Sequence, residues 1–159
     1  MMARTHLAFG ALAVVLLSPY FSYGNIWRFG VLVLVGSLLP DIDHPQSKYG
    51  RILKPVSYPL SWLLGHRGFL HSLYVPGLMV GGAYLFPVLT PHLIAVAIGY
   101  CAHLISDALT VQGIKFFHPL NEIRVSGFVH TGGFLELILF LVLVGFNVIY
   151  ILYYGMPFM

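Results

Sequence analysis

Five apolar stretches, separated by turn-forming or polar residues, dominate the pattern along the chain. They run from about Thr5 to Tyr23, Ile26 to Pro40, Phe69 to Phe86, His92 to Val111 and Phe134 to Tyr154. A helix that crosses a membrane needs about 20 mostly apolar residues. The first two segments are short for that, so they would tilt, thin the bilayer locally or lean on their neighbours. Gly24-Asn25 and the proline-marked turn at residues 87–91 predict tight connections between helices.

The composition places these helices in a bilayer. The chain has 159 residues, of which 58% are hydrophobic and only 8% charged, whereas a soluble domain has about a quarter of its residues charged. Residues 68–106 contain no Asp, Glu, Lys or Arg, which supports two spans joined as a hairpin. We therefore expect an all-α, polytopic membrane bundle of about five transmembrane helices in a single domain, residues 1–159. We interpret the first segment as a retained helix rather than a signal peptide, because it lacks a clear cleavage site.

The positive charges predict the orientation of this bundle. With five spans, the N-terminus and the two polar connections share one side, which carries seven Lys and Arg residues against Arg28 alone on the other. Positive residues favour the cytoplasmic side, so we expect a cytoplasmic N-terminus. Residues 58–64, YPLSWLL, are typical of a segment at the membrane interface. No basic tract is interleaved with aromatic residues, so we expect no nucleic-acid surface.

Ionisable side chains gather at the cytoplasmic ends of all five predicted helices. Three aspartates lie near helix C-termini, where the helix dipole disfavours a carboxylate by roughly 0.3–1 kcal/mol. Ionisable residues at membrane depth are functional candidates by default. A divalent cation would neutralise several carboxylates at once. The candidates are His6, Asp41, Asp43, His44, His66, Arg67, His71, His103, Asp107 and Glu136.

The spacing and type of these residues agree with a metal site at the cytoplasmic edge. His103 and Asp107 are four apart and so face the same way on a helix. Histidine with carboxylate suits Zn²⁺, and also Mn²⁺ or Fe. All of these candidates except Arg67 are possible ligands, and these nine exceed the roughly three that a catalytic zinc uses. The surplus indicates either two ions, or one ion with supporting and acid–base residues.

Each motif alone also fits a structural role. His103 and Asp107 could form a hydrogen-bonded pair, and residues 40–45 could simply end a helix and turn. Residues 65–72 could be a glycine-marked turn with a cytoplasmic anchor. Glu136 could cap the N-terminus of the fifth helix. What these separate roles leave unexplained is that all the residues meet at one side of the membrane.

Together these residues resemble the LexA-regulated, membrane-bound, metal-dependent hydrolases of bacterial inner membranes. The resemblance extends from residue 5 to about residue 140. It implies a multi-pass protein of the bacterial inner membrane and a hydrolytic reaction, without naming the substrate. It is carried by Thr5-His6, LLPDIDHP at 38–45, GHRGFLHS at 65–72, HLISDALTVQG at 103–113 and the position of Glu136.

These observations lead to a mechanistic hypothesis. A metal-activated water would attack an ester or phosphoester, with Asp43 or Glu136 as general base. Arg67 would bind a phosphate or other anionic group, and the location favours an amphipathic substrate such as a phospholipid. The expected ligands of one or two ions, most simply Zn²⁺, are His6, Asp41, His44, His66, His71, His103 and Asp107.

Three alternatives remain open. A lipid phosphatase with a histidine nucleophile would need further Lys/Arg-rich phosphate motifs, and residues 95–102 supply none. A metal-binding transporter would place its ligands near the bilayer midplane. A non-catalytic membrane scaffold would not depend on a bound metal.

Overall fold

The computed structural model describes residues 1–21, 25–43 and 68–154. These residues confirm a helical membrane bundle. Short 3₁₀ turns at Leu39–Asp43, Phe69–His71 and Pro87–Leu89 lie between or beside the helices. The α-helices are α1 (Ala3–Phe21), α2 (Ile26–Gly36), α3 (Tyr74–Leu85), α4 (Thr90–Ala108) and α5 (Phe134–Tyr154).

The helices fall into two length classes. Among the described residues, three helices are long and apolar enough to cross a membrane: α1, α5 and the 22-residue segment Pro87–Ala108 that contains α4. By contrast, α2 has 11 residues and α3 has 12, which correspond to about 16 and 18 Å. That is roughly half of the ~30 Å hydrocarbon core. The predicted set of about five helices is present, but two of them cross only part of the bilayer as regular α-helix.

The predicted boundaries hold best where the hydrophobic run is longest. The fifth helix has the predicted limits, Phe134–Tyr154. The predicted start of the third helix, at about Phe69, was wrong. Ser72 adopts an extended conformation, so the α-helix begins only at Tyr74. The fourth begins at Thr90 rather than His92, since a proline in the first helical turn needs no amide donor. The interfacial segment predicted at residues 58–64 lies outside the described residues.

Helix α4 is the centre of the bundle. It packs against α1, α2 and α3, while α5 packs against α1. Apolar side chains fill the junction of α1, α2 and α4, which gives these three helices a common core. Its buried members are Val14, Phe29, Val33 and Ala95.

Two glycines bring the backbones of α2 and α4 into contact. A Cβ at Gly36 would lie 2.3 Å from the carbonyl oxygen of Val96, and one at Gly99 would lie 1.9 Å from that of Val33. Only a residue without a side chain fits such an approach, as is common where membrane helices touch. The contact sets Ser37, at the end of α2, against the C-terminal half of α4.

The connection between α4 and α5 is ordered by isolated backbone bridges. Thr110 pairs with Val129, and Ile114 pairs with Val125. The same connection also holds the start of α3, because the Leu73 amide donates a hydrogen bond of 2.9 Å to the Phe116 carbonyl. The 3₁₀ turn Phe69–His71 is thereby fixed next to the C-terminal end of α4.

Candidate metal centre

The first histidine of the cluster is His6, the fourth residue of α1, which is fully buried. Its Nδ1 lies 2.7 Å from the Ser106 hydroxyl oxygen. That hydroxyl donates its own proton to the carbonyl of His103 at 2.7 Å, so it accepts the proton of His6 Nδ1–H. The Nε2 atom of His6 is then the nitrogen with a lone pair available to a ligand.

The second histidine, His103 on α4, is oriented in the same way. Its Nδ1 lies 2.8 Å from the main-chain carbonyl of Ser37. A carbonyl can only accept, so Nδ1 carries the proton and Nε2 carries the lone pair. The rings of His6 and His103 stack with their centroids 3.8 Å apart and their planes 11° from parallel. Hydrogen-bonded anchoring of one ring nitrogen is the arrangement found behind metal-bound histidines.

Two carboxylates face the lone pairs of these histidines. Asp107 is 3.6 Å from Nε2 of both His6 and His103, while Asp41 is 4.0 Å from the first and 3.9 Å from the second. These distances exceed the 2.7–3.2 Å or so of a hydrogen bond. Within the described residues, neither Nε2 has a hydrogen-bond partner. Buried polar atoms are normally satisfied, so the two nitrogens mark a place for a ligand.

The spacing of these atoms fits a metal ion. With bonds of about 2.0–2.2 Å, two ligands of a tetrahedral ion are separated by about 3.4 Å. The observed 3.6–4.0 Å separations need only a small contraction. Two groups of three residues have ligand atoms within 4.8 Å of one another. They are His6, Asp41 and His103, and His71, His103 and Asp107.

The two groups share His103, which limits how many ions the described residues can hold. Only its Nε2 is available, because Nδ1 donates to Ser37. One imidazole nitrogen binds one ion, so both groups cannot be filled completely at the same time. The described residues therefore fit one fully liganded ion, and a second ion would need additional ligands.

His71 approaches the same centre from the turn before α3. It is 2% exposed, and its Nε2 lies 3.9 Å from Asp107 Oδ2. Its ring meets that of His103 edge-on, at 5.5 Å and 64°. Asp107 also contacts a positive charge, since the Met1 α-ammonium group lies 2.6 Å from its Oδ1. A metal ion bound by Asp107 would share or replace that contact.

Glu136 lies apart from both groups and holds the N-terminal turn of α1. Its Oε1 accepts from the Met2 amide at 2.6 Å and from the Thr5 hydroxyl at 2.8 Å, and its Oε2 accepts from the Gly132 amide at 2.5 Å. The carboxylate thereby links the start of α5 to the first turn of α1. Its contact in that turn, Thr5, is the residue directly before His6. This geometry indicates a positioning role, and the general-base role expected from the sequence stays a prediction.

The structure thus brings together five of the seven predicted metal ligands: His6, Asp41, His71, His103 and Asp107. The other two, His44 and His66, lie outside the described residues, as does the predicted anion-binding Arg67. Asp43 ends a described 3₁₀ turn, but its side chain lies outside the description.

Sequence reasoning missed the two serines that orient the histidines. Ser106 could have been found, because it follows His103 by three residues and so lies on the same side of α4. Ser37 acts through its backbone carbonyl, a group that every residue has, so no side-chain pattern marks it.

Comparisons with known proteins agree with a membrane protein. The chain matches the family model described as "YdjM inner membrane protein" over residues 1–158. It is 33% identical over 129 residues to "Inner membrane protein YdjM" of Escherichia coli (strain K12), covering 75% of this chain and 66% of that protein. It is 32% identical over 173 aligned residues to "Uncharacterized protein YvsG" of Bacillus subtilis (strain 168), covering 99% of this chain and 100% of that protein.

No solved structure matches the chain. The family match and the three apolar helices indicate a protein of the bacterial inner membrane. The Bacillus subtilis relative is matched over its whole length. The chain belongs to the YdjM inner membrane protein family.

Proposed function

We propose that the protein is a metal-dependent hydrolase that acts on an ester or phosphoester at the cytoplasmic edge of the inner membrane. One observation carries this proposal. His6 and His103 are stacked and fully buried, and their Nε2 atoms face Asp41 and Asp107 without a hydrogen-bond partner in the described part of the chain. Histidines arranged only for packing would not need both Nδ1 atoms anchored and both Nε2 atoms directed at carboxylates.

The residues that would hold the ion are His6, His103 and one or both aspartates, with His71 beside them. Zn²⁺ suits this donor set best, and Mn²⁺ or Fe is also compatible. Such an ion supplies Lewis acidity towards water and towards the bond to be hydrolysed. The anchors at Ser106 and Ser37 hold the imidazoles in one orientation and one tautomer.

The general base and the residue that binds an anionic group are assigned from the more exposed side of the candidate centre. Asp41 is 18% exposed while Asp107 is 1% exposed, so a substrate would reach the centre from the side of Asp41. We assign the general base to Asp43, two residues further on, and the binding of an anionic group to Arg67. The excess of Lys and Arg on one side supports a cytoplasmic N-terminus for this arrangement.

A metal-binding transporter is less compatible with the position of the cluster. His6 is the fourth residue of α1, and Asp107 is the penultimate residue of α4. Transport sites usually lie near the bilayer midplane on broken helices. Ligands at helix ends favour a reaction at the membrane surface instead.

The proposal is tested by lipid hydrolysis with detergent-purified protein. We expect Zn²⁺- or Mn²⁺-loaded protein to hydrolyse at least one member of a panel of phospholipids and simple esters. A chelator and His103→Ala should each abolish the activity, whereas His130→Ala, an exposed histidine outside the cluster, should leave it unchanged. Metal binding without any hydrolysis across the panel would contradict the enzymatic proposal and favour transport or a scaffold.

A further inference from the structure

The connection between α4 and α5, residues 109–133, folds back along α4. Ile114 is 2% exposed and belongs to one buried apolar cluster with Tyr100 and Leu104 of α4. These two residues precede Ala108, the last residue of α4, by distances of about 12 and 6 Å along the helix axis. The chain therefore reverses its direction after α4 and returns beside the last turns of that helix.

Contacts with α3 hold the same reversal in place. Phe116 packs against the buried cluster, as do Val75 and Met79 of α3. The Phe116 carbonyl also accepts a hydrogen bond of 2.9 Å from the amide of Leu73, directly before α3. Residues 114–116 thus lie beside two helices of the bundle.

The length of α4 relates this reversal to the bilayer. The helix has 19 residues and so rises about 28 Å. The hydrocarbon core is about 30 Å thick, so a helix of this length that crosses the core ends close to its boundary. The segment that returns beside the last turns of α4 therefore lies where the lipid headgroups meet the acyl chains.

Large apolar side chains are exposed along this connection. They make up five of the twelve residues 117–128, with exposed fractions of 46–83%. Single exposed apolar side chains are normal on a protein surface, whereas a group of them in one segment marks an interaction surface. The five are Phe117, Leu120, Ile123, Val125 and Phe128.

The charged side chains of the connection suit a surface that is only partly hydrated. Lys115 donates a hydrogen bond to Glu122, and Nδ1 of His118 lies 2.8 Å from the same carboxylate. Arg124 donates to the carbonyl of Gln112 at 3.2 Å. Two positive charges against one negative charge favour contact with lipid phosphates.

The backbone of the connection supplies hydrogen bonds to itself. Ile114 and Val125 exchange two of them, at 3.0 and 2.9 Å, and the Asn121 amide donates to the Phe117 carbonyl at 2.9 Å. Acyl chains offer no hydrogen-bond partner, so backbone that approaches them needs such internal bonds. The connection meets this requirement at the points where it pairs with itself.

We propose that the connection between α4 and α5 is an interfacial segment, which inserts its exposed apolar side chains among the lipid headgroups and outer acyl carbons. Its partner is the bilayer that α4 and α5 themselves cross. The lipid surface around these helices is continuous with the position of the segment beside the last turns of α4. The inference stands independently of the proposed hydrolase function.

The experiment measures the depth of spin labels in the full chain, reconstituted in nanodiscs of phosphatidylethanolamine and phosphatidylglycerol. Cys101 is the one cysteine of the sequence, so Cys101→Ala provides the background. Nitroxides are attached singly to Leu120→Cys, Ile123→Cys and Phe128→Cys. Val142→Cys, at a residue of α5 that is 61% exposed, provides a reference within the bilayer.

Power-saturation EPR compares collisions of each label with oxygen, which concentrates in lipid, and with a nickel chelate, which stays in water. A phospholipid with a nitroxide on its headgroup marks the membrane surface. Thermal unfolding of each labelled variant verifies that it is folded.

We expect the three labels of the connection to collide more with oxygen and less with nickel than the headgroup nitroxide does. Their depth should be about 5–10 Å into the boundary between headgroups and acyl chains, as for other interfacial segments, and the Val142→Cys label should lie deeper. Nickel collisions at least as frequent as those of the headgroup nitroxide would place the segment in water and overturn the inference. Low collision rates with both reagents would indicate cover by protein, such as a second copy of the chain, and would also overturn it.

Discussion

Replacing Gly99 with alanine should separate α2 from α4 and at the same time loosen the candidate metal centre. The new Cβ would lie 1.9 Å from the Val33 carbonyl oxygen and 2.8 Å from the Ser37 amide nitrogen. An ordinary contact needs about 3.5 Å, so the helices must move apart by more than an ångström. Because Ser37 also accepts the hydrogen bond of His103 Nδ1 at 2.8 Å, that bond would be lost or lengthened.

The change in stability expected for Gly99→Ala is the sum of two opposing contributions. Overpacking in a well-packed interior costs about 1–3 kcal/mol, while alanine in place of glycine gains up to about 1 kcal/mol of helix propensity. Gly145→Ala in α5 isolates the second term, because a Cβ there meets no atom within 4 Å. Relative to that control, Gly99→Ala should lower the melting temperature by roughly 2–10 °C.

Metal affinity is the more informative assay for this variant. Loss of an outer hydrogen bond to a ligating histidine typically weakens metal binding by about 10–100-fold. We expect that loss for Gly99→Ala and none for Gly145→Ala, measured by competition with a chromophoric chelator. If Gly99→Ala binds metal and melts as Gly145→Ala does, the coupling between helix packing and the centre is refuted.

Three further predictions concern the polar partners of the candidate centre and the connection between α4 and α5. Ser106→Ala should weaken metal binding about ten-fold, whereas Ser18→Ala, whose buried hydroxyl has no partner among the described residues, should not, as chelator competition would show. Glu136→Gln should weaken metal binding without altering the pH profile of hydrolysis; a lost rate with intact metal binding would instead identify a general base. A hydrogen bond from Lys115 lowers the pKa of Glu122, so Lys115→Ala should raise it in a carboxyl NMR titration, and Glu122 should then lose its charge at a higher pH.

Features that depend on long uninterrupted patterns could be predicted from the sequence. The limits of α5 follow from a 21-residue apolar run, and the convergence of charged residues follows from their positions at helix ends. The break in the third helix at Ser72 could not be predicted from such a pattern. The apolar run continues through it, while a local hydrogen bond from its hydroxyl to the Phe69 carbonyl favours a 3₁₀ turn.

The details of the centre depended on contacts between residues far apart in sequence. Glu136 accepts a hydrogen bond from the Thr5 hydroxyl, but the two residues are 131 positions apart in the sequence. Because this contact could not be predicted, the acidic side chain of Glu136 favoured a chemical role over a structural one. Which nitrogen of His103 faces the carboxylates depends on a backbone carbonyl of another helix. Residue type and spacing predicted that histidine and aspartate side chains would lie close together, and tertiary packing determined how they are oriented.

The metal content of the purified protein tests the central claim most directly. Wild type is compared with His103→Ala/Asp107→Ala and with His118→Ala/Glu122→Ala. The latter removes a histidine–acid pair of the same four-residue spacing, 29% and 59% exposed, outside the cluster. After incubation with Zn²⁺, Mn²⁺ or Fe²⁺ and dialysis, we expect about one equivalent of metal in wild type and in the control. The site variant should retain less than a tenth of that while still folding. A folded wild type without stoichiometric metal, or equal metal in all three proteins, would contradict the account.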